Sequence, residues 1–155
     1  QTDIAYKRAL GDMNILMYVI AHGDAHADNW LISEDPDRMR ALSPDNGVAF
    51  SGPKNVFVTS VWKDIALPEL PADTIDRLRG ITDAHLESLR VLDAWEIEDD
   101  HLVRTPNRLP NDRVDGVWLK DEQLGHGLRK AEIETLRERI DDLVRRVDSG
   151  EIGTF

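Results

Sequence analysis

Cysteine is missing from all 155 residues, which excludes a disulfide framework and any thiolate metal site. Stability must then come from an apolar core and from whatever the protein binds, and the absence fits a reducing compartment. No run of about 18 or more apolar residues is present, so nothing is expected to span a bilayer. The opening Gln1-Thr2-Asp3-Ile4 lacks the basic flank and apolar stretch of a signal peptide, and lacks an initiator methionine. It reads as a processed chain or as a fragment with its N-terminal part cut away. A cytoplasmic protein is the expectation. Cations are also in short supply: 19 Lys and Arg stand against 30 Asp and Glu, for a net charge of −11. Such a surface repels phosphate backbones and anionic membranes, so neither nucleic acid nor a membrane is an expected partner. It suits a cationic acceptor, or solubility alone. With no internal repeat, low-complexity tract or Gly/Ser linker, residues 1–155 are expected to form one unit.

What is present begins with Tyr6, Leu10, Met13, Met17 and Ile20, whose steps of three and four predict a helix over residues 3–21, stopped by Gly23. His22 to Asp28 is short and polar and reads as loop. Trp30-Leu31-Ile32-Ser33 reads as a short buried strand, Glu34-Asp35-Pro36-Asp37 as a turn, and Arg40-Ala41-Leu42-Ser43 as a returning antiparallel strand that delivers Asp45 beside Asn29. The short apolar runs Val48-Ala49-Phe50, Asn55 to Val58 and Val61-Trp62 suggest an ordered, packed loop. Ala72-Asp73-Thr74 offers a cap for a helix bearing Ile75, Leu78 and Ile81, and Thr82-Asp83 starts another with Leu86, Leu89, Leu92 and Trp95 on one side. From Glu96 to Gly127 the pattern is broken and no element is assigned. Ile133, Leu136, Ile140, Leu143 and Val147 predict a last helix, supported by Asp141 with Arg145 and Asp142 with Arg146, and ended by Gly150. The fold class expected is α+β, mostly α, with a short β-hairpin.

The chemistry concentrates in His22-Gly23-Asp24-Ala25-His26-Ala27-Asp28-Asn29 and in Asp45-Asn46-Gly47. A carboxylate, an amide five positions later and a second Asp before Gly follow the order in which phosphoryl-transfer enzymes set out a base and two metal ligands. Asp24 is the candidate base. Asn29 and Asp45 offer the hard oxygens that Mg²⁺ prefers, Gly47 lets the backbone turn after Asp45, and His22 and His26 orient the loop. Asp28 is read as solvated and Trp30 as a core residue.

These residues carry a resemblance. His22-Gly23-Asp24-x-His26-x-x-Asn29-x-Leu31 resembles the catalytic loop of the aminoglycoside phosphotransferase and choline kinase group, and Asp24-Ala25-His26-Ala27-x-Asn29 that of the HipA-like toxin kinases. Asp45-Asn46-Gly47 resembles the metal-binding triplet of secretory-pathway protein kinases and of bacterial phosphatidylinositol 3- and 4-kinase-like proteins. The resemblance covers residues 20–50 sharply and the helices beyond more weakly. Ala25 departs from it where several relatives carry Arg, and His22-Gly23 replaces the Gly-Asn pair common in the atypical kinases. It implies the C-terminal lobe of a protein-kinase-like fold that uses ATP with Mg²⁺ or Mn²⁺ and phosphorylates a protein or small-molecule hydroxyl, with Asp24 as base and Asn29 and Asp45 on the metal. It also implies an N-terminal nucleotide-binding lobe with a strand Lys. Only 21 residues precede His22, and Lys7 lies on the first helix. The chain is therefore expected to be a large lobe alone, weakly active or inactive by itself.

Two other classes stay open. In a metal-dependent hydrolase His22, Asp24, His26 and Asp28 would ligate a transition metal, but the Asp-x-His-Gly and Gly-Asn-His of metallophosphoesterases are absent. In a pseudokinase or interaction module the fold would persist without chemistry.

Overall fold

The computed structural model describes residues 2–33, 35, 40–44, 49–50, 64–105, 116–120 and 123–155. They form a mixed α+β structure in which helix outweighs strand. They divide into two compact units, one from residues 1–80 and 138–155 and the other from residues 81–137. Both lie within the span that the sequence reading takes as a single lobe.

The first unit is built on helix α1, Thr2–Val19. Tyr6, the first residue of the expected stripe, is exposed together with Ile4, whereas Met13, Asn14, Ile15, Met17, Tyr18 and Val19 are all buried. The C-terminal half is thus enclosed on more than one face, which a single apolar stripe does not foretell. One of these residues is polar and has an evident task. Asn14 Nδ2 donates to the Asp64 carbonyl at 2.8 Å and its Oδ1 accepts from Ala66 N at 2.9 Å, so the amide pins the incoming segment 64–67 to the helix.

Gly23 does not stop α1. Val19 is its last residue, and Ala21 takes the left-handed conformation at φ 48°. Ala21 N donates to Tyr18 O and His22 N to Met17 O, both at 3.0 Å, the paired bonds of a Schellman turn. Gly150 ends the last helix in the same way at φ 77°, with Gly150 N on Val147 O and Glu151 N on Arg146 O. There the sequence expectation holds, because glycine occupies the left-handed position.

Strands β1 (Leu31–Ile32) and β2 (Ala41–Leu42) form the expected antiparallel hairpin, with Leu31 opposite Leu42 and Ile32 opposite Ala41. It is shorter than predicted and not buried: Leu31, Ile32 and Leu42 are exposed, and the inward contacts come from Trp30 and Ala41, which pack on Met13, Met17 and Ala25. Most of the turn at Glu34–Asp37, the triplet Asp45-Asn46-Gly47, Val48 and the runs Asn55–Val58 and Val61–Trp62 lie outside the described residues.

Strand β3 (Glu69–Leu70) pairs in parallel with the C-terminal β8 (Gly153–Thr154). Helix α2 (Ala72–Arg79) follows Pro71 directly, so Ala72 is its first residue and no side chain caps it. Thr74, a candidate cap in the sequence, instead donates to Asp12 Oδ1 at 2.6 Å. Ile75 is buried, and Ile81 lies beyond the helix. α1 approaches this corner closely: a Cβ on Gly11 would lie 2.5 Å from Pro71 Cδ.

In the second unit Thr82 caps α3 (Asp83–Glu87) as expected, accepting from His85 N while His85 Nδ1 accepts from Thr82 N. The predicted continuation to Trp95 does not form. Residues 88–90 make a 3-10 turn and Asp93–Glu98 is strand β4, at the centre of an antiparallel sheet with β5 (His101–Arg104), β6 (Val117–Lys120) and β7 (Gln123–His126) in the order β5-β4-β7-β6. Asp99 and Asp100, at φ 46° and 61°, make the two-residue turn between β4 and β5. This sheet fills part of the stretch left unassigned from sequence. Helix α4 (Lys130–Asp148) then runs from the second unit into the first, with Ile133, Leu136, Ile140 and Leu143 buried. Arg145 pairs with Asp142, and Arg146 also reaches Asp142, at 4.0 Å.

Candidate functional site

The loop from His22 to Asn29 leaves α1 through the Schellman turn, so its first residue is set by the helix end. His22 is fully buried, and its Nδ1 accepts from Asp24 N at 3.2 Å. That bond makes Nδ1 the lone-pair nitrogen, and a neutral ring then carries its proton on Nε2. Ala25 is fully buried against Met13 and Met17.

A 3-10 turn over Ala27–Asn29, begun by Asn29 N donating to His26 O at 3.0 Å, folds the chain back on itself. It returns the Asn29 amide to Asp24: Nδ2 lies 3.0 Å from Asp24 Oδ2 and 3.1 Å from Asp24 O. The other carboxylate oxygen, Oδ1, lies 3.3 Å from His26 Nε2, and His26 Nδ1 lies 3.8 Å from Asp28 Oδ2. Each oxygen of the Asp24 carboxylate therefore has a nitrogen neighbour, while about a third of the side chain stays open to solvent. Asp28 is almost wholly exposed, as expected.

With Nδ2 committed to Asp24, the acceptor Oδ1 is what Asn29 retains for a ligand. It is a hard oxygen, of the type that Mg²⁺ and Mn²⁺ take. Asp45 and Gly47, the remaining members of the expected set, lie outside the described residues. The described residues flanking them are nevertheless placed. Leu42, three positions before Asp45, pairs with Leu31, two positions after Asn29. Phe50, three positions after Gly47, donates its N–H to Ile20 O at 2.7 Å, two positions before His22.

Among the described residues no three His, Asp or Glu side chains converge as a metal cage. The four-ligand arrangement of the hydrolase alternative, on His22, Asp24, His26 and Asp28, is therefore not assembled. Lys7 is engaged elsewhere, 2.5 Å from Glu69 and 4.0 Å from the centre of the Phe155 ring.

Residues that the sequence did not single out surround the end of α1. The Tyr18 hydroxyl donates to Asp142 Oδ2 at 2.5 Å, and Arg139 both donates to the Tyr18 carbonyl and stands over its ring. Burial, and then the bond to Asp142, push the Tyr18 phenol up to about 12. The same hydroxyl, with Arg145 and Arg146, holds the Asp142 carboxyl below the usual carboxylate range. Neither Tyr18 nor Arg139 stands in a motif, so the only sequence signal is their place on the two strongest helices. No helix among the described residues is long and apolar enough to cross a membrane. No protein-family model, curated protein or solved structure matches the chain.

Proposed function

We propose that this chain is the catalytic-loop lobe of an ATP-dependent phosphotransferase of the protein-kinase-like type. The observation that carries the reading is the return of Asn29 onto Asp24, which ties the candidate base and a candidate metal ligand into one hydrogen-bonded turn. A kinase-type site needs that coupling, because catalysis there is positioning and charge stabilisation with little covalent chemistry by the protein. The flanks of Asp45 add support, since β2 leads towards that residue from beside Asn29 and Phe50 returns to the end of α1.

In the proposed reaction Asp24 accepts the proton of an acceptor hydroxyl, the freed oxygen forms a bond to the γ-phosphorus, and the bond from that phosphorus to the ADP oxygen breaks. Asn29 and His26 hold the Asp24 carboxylate in one orientation as it takes the proton. The donor set, an Asn oxygen with one or two Asp carboxylates, fits Mg²⁺ or Mn²⁺. Asn29 Oδ1 and Asp45 would hold the ion, which supplies charge neutralisation on the β- and γ-phosphate oxygens. The acceptor is a protein or small-molecule hydroxyl, and the nucleotide is covered by a further lobe.

The test is thermal unfolding of the full natural polypeptide that contains these residues, with ATP and Mg²⁺. At a ligand concentration 100 times Kd, binding stabilises by about 2.7 kcal/mol, and Asp45→Ala should remove the shift. No shift in the unsubstituted protein would overturn the proposal in favour of a non-catalytic scaffold.

A further inference from the structure

Helix α4 engages Tyr18 at three points. Arg139 Nε donates to the Tyr18 carbonyl, the Arg139 guanidinium carbon lies 4.0 Å from the centre of the ring, and the hydroxyl donates to Asp142, about one turn further along α4. Tyr18 itself is buried, and both of these hydrogen bonds are part-buried. The carbonyl that Arg139 takes also accepts Ala21 N–H in the Schellman turn, and the carbonyl before it, on Met17, accepts His22 N–H. His22 Nδ1 in turn accepts Asp24 N–H. From the guanidinium to the peptide nitrogen of Asp24, every link is a hydrogen bond or a single turn of backbone.

We propose that Arg139 is a positioning residue for Asp24: by holding Tyr18 it sets the turn that ends α1, and through His22 it sets where the Asp24 backbone lies. Two features favour this over a purely structural grip. The turn is built on Ala21, which gives up the left-handed conformation more readily than glycine would, so it needs an external hold. The grip falls on a residue whose own carbonyl closes that turn, whereas Arg145 pairs with Asp142 and has no bond to the turn among the described residues. The functional meaning of the proposal rests on Asp24 as base; its geometry does not.

The test is nitrogen NMR of the labelled chain, following the His22 ring and the backbone amides. In the unsubstituted protein His22 Nδ1 should be unprotonated and hydrogen-bonded. In Arg139→Met the amides of Ala21, His22 and Asp24 should move and the Nδ1 resonance should shift as its bond from the Asp24 amide weakens, while the amides of Leu70 and Ile75 in the same unit stay in place. Arg145→Met should move none of these. The proposal is overturned if Arg139→Met leaves His22 and Asp24 unmoved, or if Arg145→Met moves them equally. Should Arg139→Met fail to fold, Arg139→Lys is read in its place: a smaller displacement of the same resonances supports the proposal, and none overturns it. These readouts need no turnover, so they stand or fall apart from phosphoryl transfer. Where transfer is measured, Arg139→Met should lower kcat about tenfold or more with KM for ATP unchanged.

Discussion

The Asn29 side-chain amide donates to both the carboxylate and the backbone carbonyl of Asp24, at 3.0 and 3.1 Å. One side chain thereby fixes the rotamer of the candidate base and the shape of the loop that carries it. Asn29→Ala should cost about 1 kcal/mol of stability in urea unfolding, the usual worth of such bonds in a half-open site. In the full natural polypeptide it should also lower both metal affinity and turnover. Asp24→Ala should differ, lowering turnover by about 10²- to 10⁴-fold with nucleotide binding nearly intact. Equal loss of binding and turnover in Asp24→Ala would remove its role as base.

Gly11 sits inside α1, where replacing glycine by alanine ordinarily stabilises by about 1 kcal/mol. Here the added methyl would lie 2.5 Å from Pro71 Cδ. Overpacking of this kind costs about 1–3 kcal/mol, so Gly11→Ala should be destabilising overall. Chemical denaturation gives the sign directly.

Ala21 and Gly150 occupy the same position in two Schellman turns, at φ 48° and 77°. Ala21→Gly should therefore stabilise by up to about 1 kcal/mol, and Gly150→Ala should destabilise by about as much. Denaturant midpoints moving the same way in both variants would contradict this.

The Tyr18 phenol is pushed up to about 12, first by burial and second by its bond to Asp142. Between its ordinary value of 10 and that higher one the unfolded chain has lost the proton and the folded chain has kept it. Stability from this group is thus complete below pH 10 and is lost as pH rises towards 12, at no more than about 1.4 kcal/mol per pH unit. Asp142 has the opposite sign. Its carboxyl is lowered, first by the Tyr18 hydroxyl, so its contribution is present above the ordinary carboxylate value and is lost as pH falls through the folded one. Tyr18→Phe should flatten both limbs of a stability–pH curve.

The parts of this fold legible in the sequence are those whose pattern has one physical cause. α1 and α4 repeat apolar residues every three or four positions, Thr82 brings a capping side chain, and Gly150 meets a backbone demand that glycine satisfies best. The sheet escapes the same reading for reasons that can be named. Leu86, Leu89, Leu92 and Trp95 are spaced by three, which a helix shows, but so does a short α-helix run into a 3-10 turn and then a strand. The turn between β4 and β5 is Asp99-Asp100, without the glycine that marks such hairpins. Gly23 suggested the end of α1 by composition, yet Ala21 makes the turn. At the candidate site, the spacing of Asp24 and Asn29 is enough to place their side chains in contact, because one 3-10 turn closes the gap. The support beneath them, Tyr18 with Arg139 and Asp142, joins residues more than 120 positions apart and leaves no local trace.

The most direct measurement is titration of the labelled chain with Mn²⁺, reading which amide signals broaden at substoichiometric metal. The expected result is early broadening of the Asp24 backbone amide and the Asn29 side-chain amide, abolished by Asp45→Ala. Broadening confined to acidic surface elsewhere, or broadening at Asp24 and Asn29 that survives Asp45→Ala, would contradict the convergence of these three residues on one ion.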